Sequence, residues 1–247
     1  MGYLTLNRPD ARNAIDEAML AALPGALRRV REDPDVKALA VSGAGDAFCI
    51  GLDIGLLGRA FDEPAYFKDV LERLKRILAD LESLPVPVVA AVNGLTRAGG
   101  FELVLACDLA IIAAEARIAD HHLAFGIMPG GGATQRAPRK IGDQRARELL
   151  FTARWLTGDE AAEYGLAVRA VPLSRLGDAV EDLVATFRLR SRTALAATKA
   201  AMNEGASLPL PRALDLETEV FMRYLTSDPQ AAEGFRAYEA GRDPVWP

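Results

Sequence analysis

The groups in this chain best placed to do chemistry are a glycine pair and a carboxylate, Gly99-Gly100 and Glu102. They lie within Ala90-Ala91-Val92-Asn93-Gly94-Leu95-Thr96-Arg97-Ala98-Gly99-Gly100-Phe101-Glu102-Leu103-Val104-Leu105-Ala106-Cys107-Asp108. The β-branched run from Val86 to Val92, with Pro85 and Pro87 at its start and Asn93-Gly94 at its end, reads as a buried strand followed by a turn. The glycines let the backbone approach a ligand with no Cβ in the way, and the apolar spacing after them suits a buried helix. A helix N-terminus presents unpaired N–H groups and about half a positive charge. An oxyanion would be stabilised there, with Glu102 one turn in. Two simpler roles stay open, tight helix packing for the glycines and an ion pair with Arg97 for Glu102.

A second segment has the same design. Ala38-Leu39-Ala40-Val41-Ser42 reads as a buried strand and runs into Gly43-Ala44-Gly45-Asp46-Ala47-Phe48-Cys49-Ile50-Gly51-Leu52-Asp53-Ile54. Two such loops can each supply one N–H to a single carbonyl oxygen, the two-donor arrangement that acyl chemistry needs. Spacing alone does not bring them together.

With both loops quoted, the chain resembles the crotonase superfamily, the enoyl-CoA hydratase/isomerase family, over nearly its whole length. Further matching stretches are Leu4-Thr5-Leu6-Asn7-Arg8-Pro9 with Arg12-Asn13-Ala14, then Phe125-Gly126-Ile127-Met128-Pro129-Gly130-Gly131-Gly132-Ala133-Thr134-Gln135-Arg136, and Gly158-Asp159-Glu160-Ala161 leading to Gly165-Leu166-Ala167. Each is weak alone, and their order and spacing together are strong. The resemblance implies an α/β fold, a crotonase-like spiral of β-β-α turns with a C-terminal helical trimerisation region. It implies an oxyanion hole from the peptide N–H groups of Leu52 and Gly99 around a CoA thioester carbonyl. Leu52 departs from the small residue usual there, which keeps the N–H and reshapes the acyl pocket. From the matched stretches, Arg12, Ala14, Ile50, Asp53, Ile54, Gly100, Pro129 and Gly130 are expected to contact the substrate. Arg12 and Arg97 are candidates for the phosphates of CoA.

Hydratases of the resembled family use two glutamates directed at a water and the α and β carbons. Glu102 matches the first, and the second position falls on His122 in Ala119-Asp120-His121-His122-Leu123-Ala124-Phe125-Gly126. A carboxylate and an imidazole can still divide proton delivery and removal, because histidine titrates near neutrality and a buried glutamate can be shifted toward it. The expectation is a lyase of the enoyl-CoA hydratase type, with Glu102 and His122 catalytic. The missing glutamate counts against ordinary double-bond isomerisation. Hydrolysis, decarboxylation, carbon–carbon cleavage and a non-catalytic acyl-CoA-binding role stay open.

The blander roles are specific too. His121 and His122 are the only histidines, and a lone histidine beside apolar residues often serves as a hydrogen-bonded packing residue. Asp120 is a further candidate pocket group. Asp53 is expected to fix its own loop by accepting from backbone N–H groups. Cys49 and Cys107, the only cysteines, have no metal or disulfide spacing and read as packing residues.

A chain of 247 residues, 50% hydrophobic and 26% charged, is long enough for one large core with an appended element. The division expected is 1-190 for the spiral core with the acyl-CoA site and 191-247 for the helical region. A net charge of −5 argues against general nucleic-acid binding. The longest apolar runs stop well short of the roughly eighteen residues needed to cross a bilayer, and no basic-then-apolar leader opens the chain. A cytoplasmic enzyme with no metal and no cofactor is expected, the CoA thioester being its substrate. It is expected to form a homotrimer or a dimer of trimers, on the resemblance.

Breakers and periodicity place the elements. Strands are expected near Tyr3 to Leu6, Lys37 to Ser42, Asp108 to Ala113 and Ala167 to Val171. Helices are expected from Asp16 to Glu32, Tyr66 to Leu84, Ala133 to Lys140, Gln144 to Phe151 and Asp159 to Tyr164. Four more run from Leu176 to Leu189, Thr193 to Gly205, Leu210 to Leu225 and Gln230 to Ala240. The second helix carries an apolar face of Phe67, Val70, Leu71, Leu74, Ile77, Leu78 and Leu81. The region from Leu56 to Phe67 is expected to line the acyl pocket. In the resembled family a further strand commonly precedes Leu4, and without it the first sheet edge is expected to be shorter. Gly43-Ala44-Gly45 lacks the third glycine of a dinucleotide fingerprint, Gly130-Gly131-Gly132 lacks the lysine of a phosphate loop, and no Gly-x-Ser-x-Gly elbow occurs.

Overall fold

Short β-branched runs separated by Asn and Gly corners form strands that step between two sheets. The computed structural model describes residues 1–246. The nine strands among them are β1 (Gly2–Leu6), β2 (Leu39–Gly43), β3 (Ala47–Cys49), β4 (Val88–Val92), β5 (Leu95–Arg97), β6 (Leu109–Ala113), β7 (Arg117–Ala119), β8 (Leu156–Thr157) and β9 (Arg169–Val171). One sheet has the order β1-β2-β4-β6-β9, parallel throughout. The other has the order β3-β5-β7-β8, parallel except where β8 runs against β7. In three circuits, β2-β3, β4-β5 and β6-β7, the chain adds a strand to one sheet, turns a corner, adds a strand to the second and returns through helices. That is the expected spiral.

The corners are pinned by two asparagines. Asn13, fully buried, donates through Nδ2 to the carbonyls of Ala44 (2.9 Å) and Ala47 (2.8 Å) and accepts from the Arg8 N–H at 2.9 Å. Asn93 accepts from the Gly43 N–H at 3.1 Å and donates to the carbonyls of Gly45 (3.1 Å) and Ala47 (3.3 Å). Corner groups that would otherwise lack strand partners are satisfied this way.

The helices are α1 (Glu17–Glu32), α2 (Ile54–Asp62), α3 (Pro64–Glu82), α4 (Gly99–Ala106), α5 (Ala133–Ile141), α6 (Asp143–Thr152) and α7 (Gly158–Glu163), followed by α8 (Leu176–Arg188), α9 (Arg192–Gly205), α10 (Leu210–Ser227) and α11 (Glu233–Glu239). The apolar face read for α3 is real: Val70, Leu74, Ile77, Leu78 and Leu81 are buried, each worth about 1.5 to 3 kcal/mol on transfer from water. The helix α4 is buried on every side. Packing, rather than an amphipathic stripe, therefore fixes where Glu102 points. After Ser191, α9 is anchored to the sheets by Lys199, whose ammonium meets Asp108 at 2.7 Å and the Val86 carbonyl at 3.0 Å. No helix among the described residues is long and apolar enough to cross a membrane.

The three-residue strands β3, β5 and β7 lie where the sequence suggests only loops. Each is too short to show an alternating pattern, and β3 is buried on both faces.

Candidate active site

The two glycine loops meet. The β3 to α2 loop is held by a parallel bridge between Ile15 and Leu52, in which Ile15 N–H donates to Gly51 O at 2.8 Å and Asp53 N–H donates to Ile15 O at 2.9 Å. Those bonds turn the intervening Leu52 N–H the other way, toward Gly99, where a Cβ would lie 3.5 Å from Leu52 N. Gly51 has φ +94°, and a Cβ there would sit 2.8 Å from Gly99 N, so any side chain would both strain the backbone and wedge the loops apart. Gly99 opens α4, where helix geometry leaves its N–H without an intrahelical partner. Ala98 before it holds φ 49°, an uncommon backbone for a residue with a Cβ, fixed by donation from its N–H to Asp120 O at 3.0 Å.

Glu102 lies one turn into α4 and is 1% exposed. Its Oε1 accepts from the N–H groups of Gly131 (2.7 Å) and Ala133 (3.1 Å), so the carboxylate caps the start of α5. A Cβ at Gly131 would collide with Glu102 Oε2, which explains a glycine there. Burial pushes the Glu102 carboxyl above its ordinary range, while the His122 charge and the two peptide N–H groups pull it back. No ion pair joins Glu102 to Arg97 among the described residues; the Arg97 guanidinium instead lies 5.4 Å from the centre of the Phe125 ring.

His122 Nδ1 meets Asp120 Oδ1 at 3.0 Å, with Asp120 fully buried and the His122 side chain 17% exposed. An aspartate oxygen accepts from Nδ1–H, which leaves Nε2 as the nitrogen free for a substrate. Burial works to lower the His122 pKa and is the largest single influence. Asp120, through its hydrogen bond and charge, and Glu102, through its charge, together outweigh it, and the net shift is upward. His121 donates Nδ1–H to the Ala153 carbonyl at 2.8 Å, since a carbonyl can only accept, and packs against Phe125 and Trp155.

Leu52, Gly99, Glu102, His121 and His122 line one cavity of about 920 Å³, walled also by Leu57, Phe67, Leu71 and Leu74 and by the exposed Ile54 and Met128. Of the residues expected to contact substrate, Ala14, Ile50, Asp53, Ile54, Pro129 and Gly130 line it together with Leu52, Gly99, Glu102 and His122. Arg12 does not: it is exposed in a left-handed turn (φ 49°) outside the lining. Gly100 also stands back from it, packed against the Cys49 carbonyl, where it sets the spacing between α4 and β3. Asp53 accepts from Gly55 N–H at 3.0 Å and from Arg8 at 3.0 Å, fixing its loop. Leu71 and Leu74, beyond the region expected to line the pocket, were findable as the next turns of the α3 apolar face. The thiols of Cys49 and Cys107 are buried and pushed up to about 12, inert as nucleophiles. Among the described residues no three His, Cys, Asp or Glu side chains are grouped to hold a metal ion.

A model of the enoyl-CoA hydratase/isomerase family matches residues 1–247. The chain belongs to that family. It is 34% identical over 241 residues to a crotonyl-CoA hydratase of Syntrophomonas wolfei, covering 96% of this chain and 91% of that one. It is 32% identical over 246 residues to the mitochondrial methylglutaconyl-CoA hydratase of Mus musculus, covering 98% of this chain and 77% of that one. The crystal structure of an enoyl-CoA hydratase from Bacillus anthracis superposes with a TM-score of 0.93 at 31% identity, covering 99% of this chain and 94% of that one. The spiral is thus the crotonase fold, and the chain is an enzyme of the family that acts on acyl-CoA substrates.

Proposed function

We propose that the chain adds water across the α,β double bond of an enoyl-CoA thioester, or removes it in reverse. The observation that carries this reading is the convergence of two backbone donors, a buried carboxylate and an aspartate-held imidazole on one apolar cavity. In the forward direction Glu102 takes a proton from water as its oxygen bonds to the β carbon. The C=C electron pair moves onto the thioester, and the oxygen of the resulting enolate accepts from Leu52 and Gly99 N–H. Donors placed where charge develops are each worth about 3 to 4 kcal/mol. His122 Nε2–H then protonates the α carbon, and return of a proton from Glu102 to the imidazole resets the site. No cofactor is required.

A second reading is favoured by the His122–Asp120 pair itself, which is the arrangement of a base and its orienter. Such a pair can direct water at the thioester carbon and release free CoA. Turnover of crotonyl-CoA in water labelled with heavy oxygen separates the two. Label at the β-hydroxyl supports hydration; label in a carboxylate, with free thiol, supports hydrolysis.

We further propose a homotrimer or a dimer of trimers acting in the cytoplasm. The support for assembly is the run of exposed apolar side chains along α10, Leu210, Leu214, Phe221 and Leu225. Light scattering on the purified protein measures the assembly, and a monomer at micromolar concentration would contradict it.

A further inference from the structure

Arg97 is a cation that the proposed chemistry does not use. It ends β5, two residues before Gly99, and lines the catalytic cavity. Its neighbour Thr96 is fully buried, with its hydroxyl on the Gly94 carbonyl at 3.0 Å, so strand alternation sends Arg97 to the opposite, cavity side. Arg97 pairs with Ala119 through the β5–β7 ladder, but among the described residues its guanidinium takes part in no hydrogen bond and no ion pair and lies only over the face of Phe125.

Three other arginines around this region are matched. Arg8 pairs with Asp16 and Asp53, Arg73 with Glu17 and Asp69, and Arg136 with Glu82. The cavity's carboxylates do not neutralise Arg97 either. Asp53 is held by Arg8 and Gly55 N–H, and Glu102 feels the charges of His122 and Asp120 and is bonded by Gly131 and Ala133. A guanidinium stays charged at any working pH and offers a planar fork of donors that a carboxylate matches with two hydrogen bonds. The cavity that Arg97 lines is otherwise walled largely by apolar side chains, Leu57, Phe67, Leu71 and Leu74 among them.

Resting on the acyl-CoA reading above, we propose that Arg97 is an anion subsite for the acyl group, and that the chain takes CoA thioesters whose acyl chain ends in a carboxylate. The phosphates of CoA are the other anions that could meet it. Two residues of chain separate Arg97 from Gly99, so their backbones lie no more than about 7 Å apart. The phosphates lie a whole pantetheine arm from the thioester carbonyl, which favours the acyl group.

Calorimetric binding of glutaryl-CoA and pentanoyl-CoA tests this, because the two differ only by a terminal carboxylate in place of a methyl and neither can be hydrated. The native chain is expected to bind glutaryl-CoA at least about tenfold more tightly. Arg97→Met is expected to weaken glutaryl-CoA alone, bringing the ratio close to one, and Arg97→Lys to keep part of the preference. Equal affinities in the native chain would overturn the proposal, as would a preference that survives in Arg97→Met. Equal weakening of both ligands by Arg97→Met would also overturn it, moving Arg97 to the CoA phosphates. Failure of the hydratase reading would appear instead as no turnover of enoyl thioesters, with this binding comparison unaffected.

Discussion

His122 is held by Asp120 through a 3.0 Å Nδ1 to Oδ1 contact, and the Asp120 carbonyl in turn accepts the Ala98 N–H at 3.0 Å. One buried aspartate thus orients the imidazole and fixes the loop that carries Gly99, the proposed oxyanion donor. Asp120→Asn keeps the shape and the backbone contact but removes the negative charge that helps raise the His122 pKa. The imidazolium is the acid in the proposed reaction, so activity is lost as pH rises through the His122 pKa. In the variant that limb moves to lower pH. A shift of one unit corresponds to about 1.4 kcal/mol and roughly a tenfold loss above the new limb. A pH–rate profile checks it, and an unmoved limb would remove Asp120 from the mechanism.

Removing the proposed general base is expected to leave binding and destroy chemistry. Glu102→Gln is expected to lower kcat for crotonyl-CoA hydration by about 10²- to 10⁴-fold while KM changes only a few fold. Steady-state kinetics separate the two.

The same carboxyl ties stability to pH. Its pKa is raised in the folded state, chiefly by burial, so the folded chain holds the proton more tightly than the unfolded chain does. That contribution to stability is present below the ordinary glutamate pKa and is lost as pH rises through the folded value. Glu102→Gln cannot ionise and is expected to lack this fall, giving a melting temperature that exceeds the native one increasingly above the ordinary glutamate range. Thermal melts across pH check the sign, and a native-to-variant gap independent of pH would contradict it.

Gly51→Ala places a Cβ 2.8 Å from Gly99 N at φ +94° and so spreads the two proposed oxyanion donors. The expected cost is about 10²- to 10³-fold in kcat, the scale of losing one such donor. Leu52→Ala keeps both N–H groups, so kcat on crotonyl-CoA should change only a few fold while branched acyl groups gain. Side-by-side kinetics on crotonyl-CoA and a branched enoyl-CoA distinguish backbone from side-chain roles.

Asn13→Ala removes the partner of the Ala44 carbonyl and the Arg8 N–H and leaves the Ala47 carbonyl only its longer bond from Asn93. A cost of about 2 to 3 kcal/mol follows, seen as a fall in melting temperature of roughly 5 to 10 °C.

Much of this was legible in the sequence for identifiable reasons. Long helices such as α3 announce themselves by period, and the Gly99 to Glu102 stretch by glycine next to a carboxylate in an apolar run. The strands of the second sheet were not legible, because two or three residues give no alternation. The pairing of Asp120 with His122 needed the bend after β7, where His121 takes φ 58°, and two-residue spacing alone does not specify it. The contact of Glu102 with Gly131 and Ala133 joins residues far apart in the chain, as does the approach of Gly51 to Gly99. Arg12 shows the reverse: its motif neighbours Ala11 and Ala14 line the cavity, while its own side chain is carried outward by a left-handed turn.

The most direct measurement is turnover of crotonyl-CoA by the purified native chain, following the ultraviolet absorbance of the conjugated enoyl thioester and free thiol in the same sample. Hydration requires the absorbance to fall with no free CoA released. An unchanged absorbance, or CoA release matching the fall, would contradict it.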